Sequence, residues 1–343
     1  KTPPFGESKM TTEQATPPSR ELIDNVRLAT FTPMAVRAAM QLGLFTSLAQ
    51  GPRTAEELAT ALGVKSRRLK ALLYQLVVSE FLDVNESRFS NTKMAAYYLV
   101  EGTPNYAGNI HDMWTETFNA MMHTAESIRT DKAQTKMDFL GMSQEELSGF
   151  LKGLHGGAIA AGRSLSKLPK FADARKLIDV GGGSGGLAIA LCKEHPLLHV
   201  TIVDLPSVVP IAAQMVKESG LADRISVTTE DILNNPLKGE FDIATARAFF
   251  QVLSVDQSRK AAQNIGASLV NGATLFILGM VTDDSHLSPI TSVGMNLIFL
   301  NMFDHGEAYT ESEYRDWLNG AGFADVSREP HLMGYDLISA RKI

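Results

Sequence analysis

Apolar residues in RELIDNVRLATFTPMAVRAAMQLGLFTSLA (20–49) recur at three- and four-residue spacing, which predicts helices with a break or kink near Pro33. TAEELATALGV (54–64) opens on Thr54 with Glu57 three residues on, a capping-box spacing that starts a helix. SRRLKALLYQLVVSEFL (66–82) is amphipathic at helical period, and FLDVNESRFSNT (81–92) alternates about a polar turn as a small hairpin does. Helix, helix, hairpin is the order of a winged helix. Residues 105–168 read as helical and are rich in Met, His and aromatic residues. From Lys176 the period changes. KLIDVG, HVTIVD, ISVTTED, FDIATARA, TLFILGMV, FADVSRE and YDLISARK read as strands, and PSVVPIAAQMVKESG and SVDQSRKAAQNIGASLV between them read as helices. That alternation predicts an α/β chain with a Rossmann-like, doubly wound sheet. The last two strands are joined by too few residues for a crossover, so an antiparallel last strand is expected. The expected organisation is a disordered, proline-rich tail at 1–19, an all-helical or winged-helix domain at 20–104, a helical segment at 105–168 and the α/β domain at 169–343.

Composition narrows the class. Of 343 residues, 44% are hydrophobic and 20% charged, an ordinary balance for a soluble globular chain. No apolar run reaches the roughly 18 residues of a membrane helix. The polar start lacks the apolar core of a secretory signal and reads as a disordered tail, and the lone Cys192 fits a reducing cytoplasm, so a cytoplasmic location is expected. A formal net charge of −6 argues against nucleic acid as the main partner. The basic stretch VKSRRLK (64–70) reads as a solvated helix face, with a DNA-reading helix as its rival. The single Cys192 excludes an internal disulfide and, in LAIALC, reads as core. His111, His123 and His155 are too scattered for a metal cluster, and no metal is expected.

The candidate chemistry begins at IDVGGGSGGLAIAL (178–191), a strand, a glycine turn and a helix. Glycine lets the backbone turn tightly and approach a ligand, and the following helix presents free N–H groups. The segment satisfies Gly181-x-Gly183-x-Gly185, the S-adenosyl-L-methionine (SAM) pattern, and Gly181-x-Gly183-x-x-Gly186, the dinucleotide pattern, with Gly182 inside the turn. Asp204, ending the next strand with Leu205 after it, suits the ribose hydroxyls of either cofactor. Asp231 breaks the tie: an acid after the third strand to receive an adenine amino group, with Ile232 against the ring, is typical of SAM sites.

With these residues the chain resembles the caffeate and hydroxyindole O-methyltransferase family, class I SAM-dependent enzymes. The marks are TPMAVRAAMQLGLF, LIDVGGGSGG, VDLPSVV, DRISVTTEDI and AYTESEYRDWLNGAGF, over residues 20–343. The resemblance implies a homodimer through interlocked N-terminal helices, with Phe31 and Met34 closing the partner's pocket. It also implies Arg247 beside the cofactor and acceptor contacts from HDMWTETFNAMMHTAES and FLKGLHGG. Trp114, Phe118, Met122, His123, His155, Arg163, Phe250 and Tyr309 are the acceptor candidates. Tyr106 and Arg129 are further hydroxyl or carboxylate partners, and Met113, Met121, Met122 and Phe249 are further packing groups.

One departure stands out in TARAFFQVLSVDQ (245–257). O-Methylating members place a histidine four residues after the basic position; here Gln251 stands there. Their supporting acids are absent too, with Gly279 and Ala308 at those places and Glu307 adjacent. An amide does not titrate, so Gln251 can position but not deprotonate. A thioether acceptor has nothing to deprotonate, and aromatic faces tolerate the resulting cation. On this ground and on DMWTETFNAMMHTAESIRTDK (112–132), the chain resembles the methylthiohydroxybutyrate S-methyltransferases of bacterial dimethylsulfoniopropionate (DMSP) synthesis. The alternatives are O- or C-methylation of an aromatic or tetrapyrrole small molecule, a SAM-binding winged-helix regulator, and a nicotinamide dehydrogenase.

Overall fold

The computed structural model describes residues 18–103, 106, 110–236, 239–331 and 334–343. The expected tail falls almost wholly on 1–17, outside the described residues. The chain divides into two compact units, Lys1–Thr115 and Glu116–Ile343.

In the first unit, α1 (Glu21–Leu28) and α2 (Phe31–Gln41) are separated at Ala29–Thr30. Pro33 is not the break. It lies in the first turn of α2, where a missing N–H leaves no intrahelical bond unmade. Then come α3 (Leu44–Ser47), β1 (Arg53–Thr54), α4 (Ala55–Leu62), α5 (Ser66–Val78), β2 (Leu82–Asn85), β3 (Arg88–Asn91) and α6 (Lys93–Tyr98). The capping box forms: Thr54 Oγ1 accepts from the Glu57 N–H at 3.2 Å, and the Glu57 carboxylate accepts from the Thr54 N–H at 2.8 Å. Asn85 pairs with Arg88 across a two-residue turn, and Glu86 and Ser87 take the left-handed conformations (φ 48° and 61°) that such a turn demands. β1 joins the hairpin to give the order β1-β3-β2. Leu44, Phe45, Leu58, Leu73, Leu76 and Phe89 form the core.

The unit boundary falls within α7 (Ile110–Met122). The second unit continues with α8 (Thr124–Thr130), α9 (Gln144–Leu165), β4 (Lys176–Val180), α10 (Gly186–Glu194), β5 (His199–Asp204), α11 (Val209–Glu218), β6 (Ile225–Thr229) and β7 (Phe241–Arg247). It closes with α12 (Val255–Ala267), β8 (Leu269–Gly279), α13 (Ile290–Met302), α14 (Glu311–Gly320), β9 (Phe323–Pro330) and β10 (Asp336–Lys342). The sheet order is β6-β5-β4-β7-β8-β10-β9, and β10 runs antiparallel to both neighbours, as expected. Strand residues alternate between two cores. Ile178, Val180, Leu275 and Ile277 pack with Ala261 of α12 and Trp317 of α14. Leu177, Phe276 and Leu278 pack with Leu165 of α9 and Leu187 of α10. This is how a sheet covered on both faces buries residues of both parities.

The structure departs from the expected elements in three places. β8 begins at Leu269, before the Asn271-Gly272 pair that reads as a break, and absorbs it with Gly272 at φ 83°. α13 (ITSVGMNLIFLNM) gives no periodic signal because it is apolar on nearly every side. Residues 131–143, expected to be helical, are irregular and strapped to the end of α13. The N–H groups of Thr135 and Met137 donate to the carbonyls of Asn301 and Met302 at 3.0 and 2.9 Å.

Candidate active site

The parallel strands β4, β5 and β7 end on the same edge of the sheet, where open α/β folds receive their ligands. The turn from β4 to α10 needs its glycines. Gly181, Gly183 and Gly185 have φ of 65°, 56° and 71°, and a Cβ on Gly182 would lie 2.7 Å from Ile202 Cγ2 and 2.8 Å from Asp179 Oδ2. Asp204 reaches into this turn. Its Oδ2 accepts from the Gly183 N–H and its Oδ1 from the Leu205 N–H, both at 2.7 Å. Two accepted bonds leave lone pairs for a diol. Burial pushes the Asp204 carboxyl up while the two N–H groups pull it down.

Asp179 completes the site and was missed in the sequence, although its signal, an acid two residues before the first glycine, was there to be read. It is 1% exposed. Its Oδ1 accepts from the Thr245 hydroxyl at 2.8 Å, and its Oδ2 has no protein partner. Burial pushes its pKa up to about 7, against the Thr245 bond; the Asp204 charge adds to the rise and Arg247 opposes it. A buried carboxylate oxygen without a donor, beside a glycine cradle and a diol acceptor, fits a ligand that is cationic and carries a ribose.

The other expected cofactor residues divide. Arg247 stands at the end of β7 with its guanidinium 5.2 Å from the Tyr335 ring centroid. Asp231 lies beyond β6, exposed, and accepts from the Leu233 N–H at 3.1 Å and from the Asn234 side chain. Ile232 is 5% exposed and packs in the core with Val203 and Phe241.

Gln251 follows β7 in a single 3-10 turn, Phe250–Val252, and is buried. Its Oε1 accepts from the Met280 N–H at 3.1 Å and lies 3.4 Å from where a Gly279 Cβ would be. The fold therefore brings positions 251 and 279 together, and both lack an ionisable group. Ala308 is buried, with its N–H donated to Asn296 Oδ1 at 2.6 Å, while Glu307 is exposed.

The acceptor candidates fall in different surroundings. Phe250 is core, stacked on Trp317 at 6.5 Å; Phe249 is the ring at the site, with Cδ2 2.8 Å from a Gly181 Cβ position. Tyr309 is core, its hydroxyl donating to the Leu253 carbonyl at 2.5 Å. Trp114 packs into the core of the first unit. Met122 is 84% exposed, His123 and Arg163 are exposed, and Arg129 pairs with Glu126. Phe118 and Met121 are half-buried; the side chains of His111 and Met113 lie outside those described. His155, on α9, contacts the glycine turn, its Nδ1 2.9 Å from Ser184 Oγ, and burial followed by the Lys193 charge holds its pKa down. Near Gln251 the sequence reading overlooked an apolar cluster in which Met295, Phe303 and Tyr335 pack on Met280 and Phe299; it rests on α13, which gave no signal. Among the described residues no group of three His, Cys, Asp or Glu could hold a metal ion, and no helix is long and apolar enough to cross a membrane.

A doubly wound sheet with one antiparallel strand, a glycine turn and paired acids at the strand ends defines a class I SAM-dependent methyltransferase. Residues 134–324 match the O-methyltransferase domain family and residues 27–101 the O-methyltransferase dimerisation domain. A 3-hydroxy-5-methyl-1-naphthoate 3-O-methyltransferase of Streptomyces sahachiroi is 32% identical over 311 residues, covering 89% of this chain and 90% of the relative. The N,N-dimethyltransferase OxyT of Streptomyces rimosus is 27% identical, covering 90% and 92%. Human N-acetylserotonin methyltransferase in complex with SAM superposes with a TM-score of 0.80 at 21% identity, covering 96% of this chain and 99% of that one. The chain belongs to the O-methyltransferase domain family and is a SAM-dependent methyltransferase.

Proposed function

We propose that this enzyme methylates a small organic molecule without a protein base at position 251. The observation that carries the reading is the buried Gln251 amide, pinned by the Met280 N–H beside Gly279. Bound SAM supplies an electrophilic methyl group. The chain's own residues hold and orient. Asp204 and the glycine turn receive the ribose and backbone of the cofactor, Asp179 Oδ2 takes a cationic group of it, and Phe249 and Arg247 flank the loop. Asp231 is proposed for the adenine. A positioned base contributes typically about 10²–10⁴ in rate, whereas good orientation supplies about 7–11 kcal/mol. An acceptor with a lone pair and no proton needs only the second.

Two acceptor classes follow. The relatives support an aromatic or polycyclic small molecule better: one is named for a naphthoate oxygen, and another as an N,N-dimethyltransferase, so the methylated atom varies within the family. Gln251 favours a thioether, 4-methylthio-2-hydroxybutyrate, methylated on sulfur as in DMSP synthesis. Single-turnover transfer from labelled SAM to thioethers, phenols, amines and tetrapyrroles, with products identified by mass spectrometry, separates them. At saturating SAM, where the ligand's charge holds Asp179 ionised, the expected result is a transfer step without a further residue-derived inflection between about pH 6 and 9, and a Gln251→Ala loss below about tenfold. An inflection in that window on a protonated oxygen, removed together with about 10² or more in rate by replacing one ionisable residue, would overturn the base-free reading.

The dimerisation match and the exposed apolar residues Leu22, Ile23, Val26, Phe31 and Met34 support a homodimer through the N-terminal helices.

A further inference from the structure

Within the turn Gly181–Gly186 one residue carries a side chain, Ser184. Everything else that fixes the turn acts on its backbone, including Asp204 on the Gly183 N–H and the Val203 carbonyl on the Gly181 N–H at 2.8 Å. Ser184 is 4% exposed, and its hydroxyl meets His155 Nδ1. α9 presses on the turn over its length. A Cβ on Gly186 would lie 3.0 Å from the His155 carbonyl oxygen and 3.1 Å from its Nδ1, and a Cβ on Gly183 would lie 3.6 Å from Leu151 Cδ2. Further along, Gly162 lets α9 approach α10 so closely that a Cβ there would lie 2.5 Å from the Leu187 carbonyl oxygen. The imidazole is therefore held in place by a rigid helix contact.

We propose that His155 is a positioning residue for the cofactor loop, holding the Ser184 hydroxyl so that the glycine turn is in its SAM-receiving conformation before SAM arrives. Free glycine segments have the most backbone freedom to lose, and pre-ordering one removes part of that loss from binding. The role does not depend on which acceptor the enzyme uses.

The test uses the full-length protein. Affinity for S-adenosylhomocysteine is measured by calorimetry, and amide hydrogen exchange at 183–186 is measured without ligand. His155→Leu is expected to weaken binding by about 5- to 30-fold and to speed exchange at the loop. Ser184→Ala is expected to do the same, and the double variant to be no weaker than Ser184→Ala alone, as for two groups acting through one contact. His155→Asn, which returns an amide near the place of Nδ1, is expected to restore most of the affinity. Unchanged affinity in His155→Leu, or losses that multiply in the double variant, would overturn the proposal. Should the Leu variant fail to fold, His155→Gln, whose amide reaches the place of Nε2, is expected to bind like Ser184→Ala and Asn like the wild type; equal affinities would overturn it.

Discussion

Asp179 is a weakness of the fold at the place where the proposed function puts a ligand contact. Its carboxyl is pushed to about 7 by burial, against an ordinary value of 3.8. The folded pKa lies above the unfolded one, so between about pH 4 and 7 the folded chain keeps a proton that the unfolded chain has released. Stability from this group is fully present below the unfolded value and is lost as pH rises through the folded one. The shift corresponds to at most about 4 kcal/mol. Asp179→Asn, which keeps the shape and removes the charge, is expected to leave the ligand-free protein more stable than wild type at pH 8, with a smaller gap at pH 5. The same change is expected to weaken S-adenosylhomocysteine binding, because the lone Oδ2 becomes neutral. Thermal unfolding at the two pH values checks this: a variant that is less stable at pH 8, with an unchanged pH slope, would contradict it. At this scale the sequence was informative where the geometry lies in contiguous residues. The glycines and Asp204 were legible from one strand, one turn and a fixed spacing. Which ring lies against the glycine turn was not, since whether Phe249 or Phe250 faces it depends on the twist of one short turn, and no spacing records that.

Elements were legible in proportion to their amphipathicity. Helices with one polar face and a capping box, such as α4 with Thr54 and Glu57, announced their starts. The mostly apolar α13 did not, and with it went the strap at 131–143 and the cluster around Met280. Their joint is Asn301, which is fully buried. Its Oδ1 accepts from the Ser127 hydroxyl at 2.6 Å, and its Nδ2 donates to Thr124 Oγ1 at 2.9 Å and to the Leu297 carbonyl at 2.7 Å. Its own carbonyl receives the N–H of Thr135. Asn301→Ala takes the acceptor from the buried Ser127 O–H, whose oxygen keeps only the Gln134 N–H at 3.4 Å, and opens a gap, at about 1–3 kcal/mol for an unsatisfied group. Urea unfolding is expected to show that loss, and limited proteolysis of the folded variant is expected to cut first within 131–143. A variant as stable and as resistant as wild type would show that the strap is held by other contacts.

At the scale of the whole molecule, the first helices leave apolar side chains exposed among the described residues. α1 buries none of its residues; Leu22, Ile23 and Val26 are 81, 68 and 71% exposed. An eight-residue helix is not stable alone in water, since nucleation outweighs so few backbone bonds. Its order therefore calls for a surface to lie on. The dimerisation match begins at residue 27, so most of α1 lies outside it, and the sequence motif by itself assigns these side chains no role. Buried in a second copy, each would contribute about 1.5–3 kcal/mol. Replacing Ile23 and Val26 by Asp is thus expected to raise the dimer dissociation constant by at least about two orders of magnitude, at roughly 1.4 kcal/mol per factor of ten. Sedimentation equilibrium over a range of concentrations reads this directly. S-adenosylhomocysteine affinity measured beside it separates assembly from damage, because the glycine turn, Asp179 and Asp204 all belong to the second unit. The double variant is expected to dissociate while still binding the ligand; a dimer of undiminished strength would place the interface elsewhere, on α2 or beyond it.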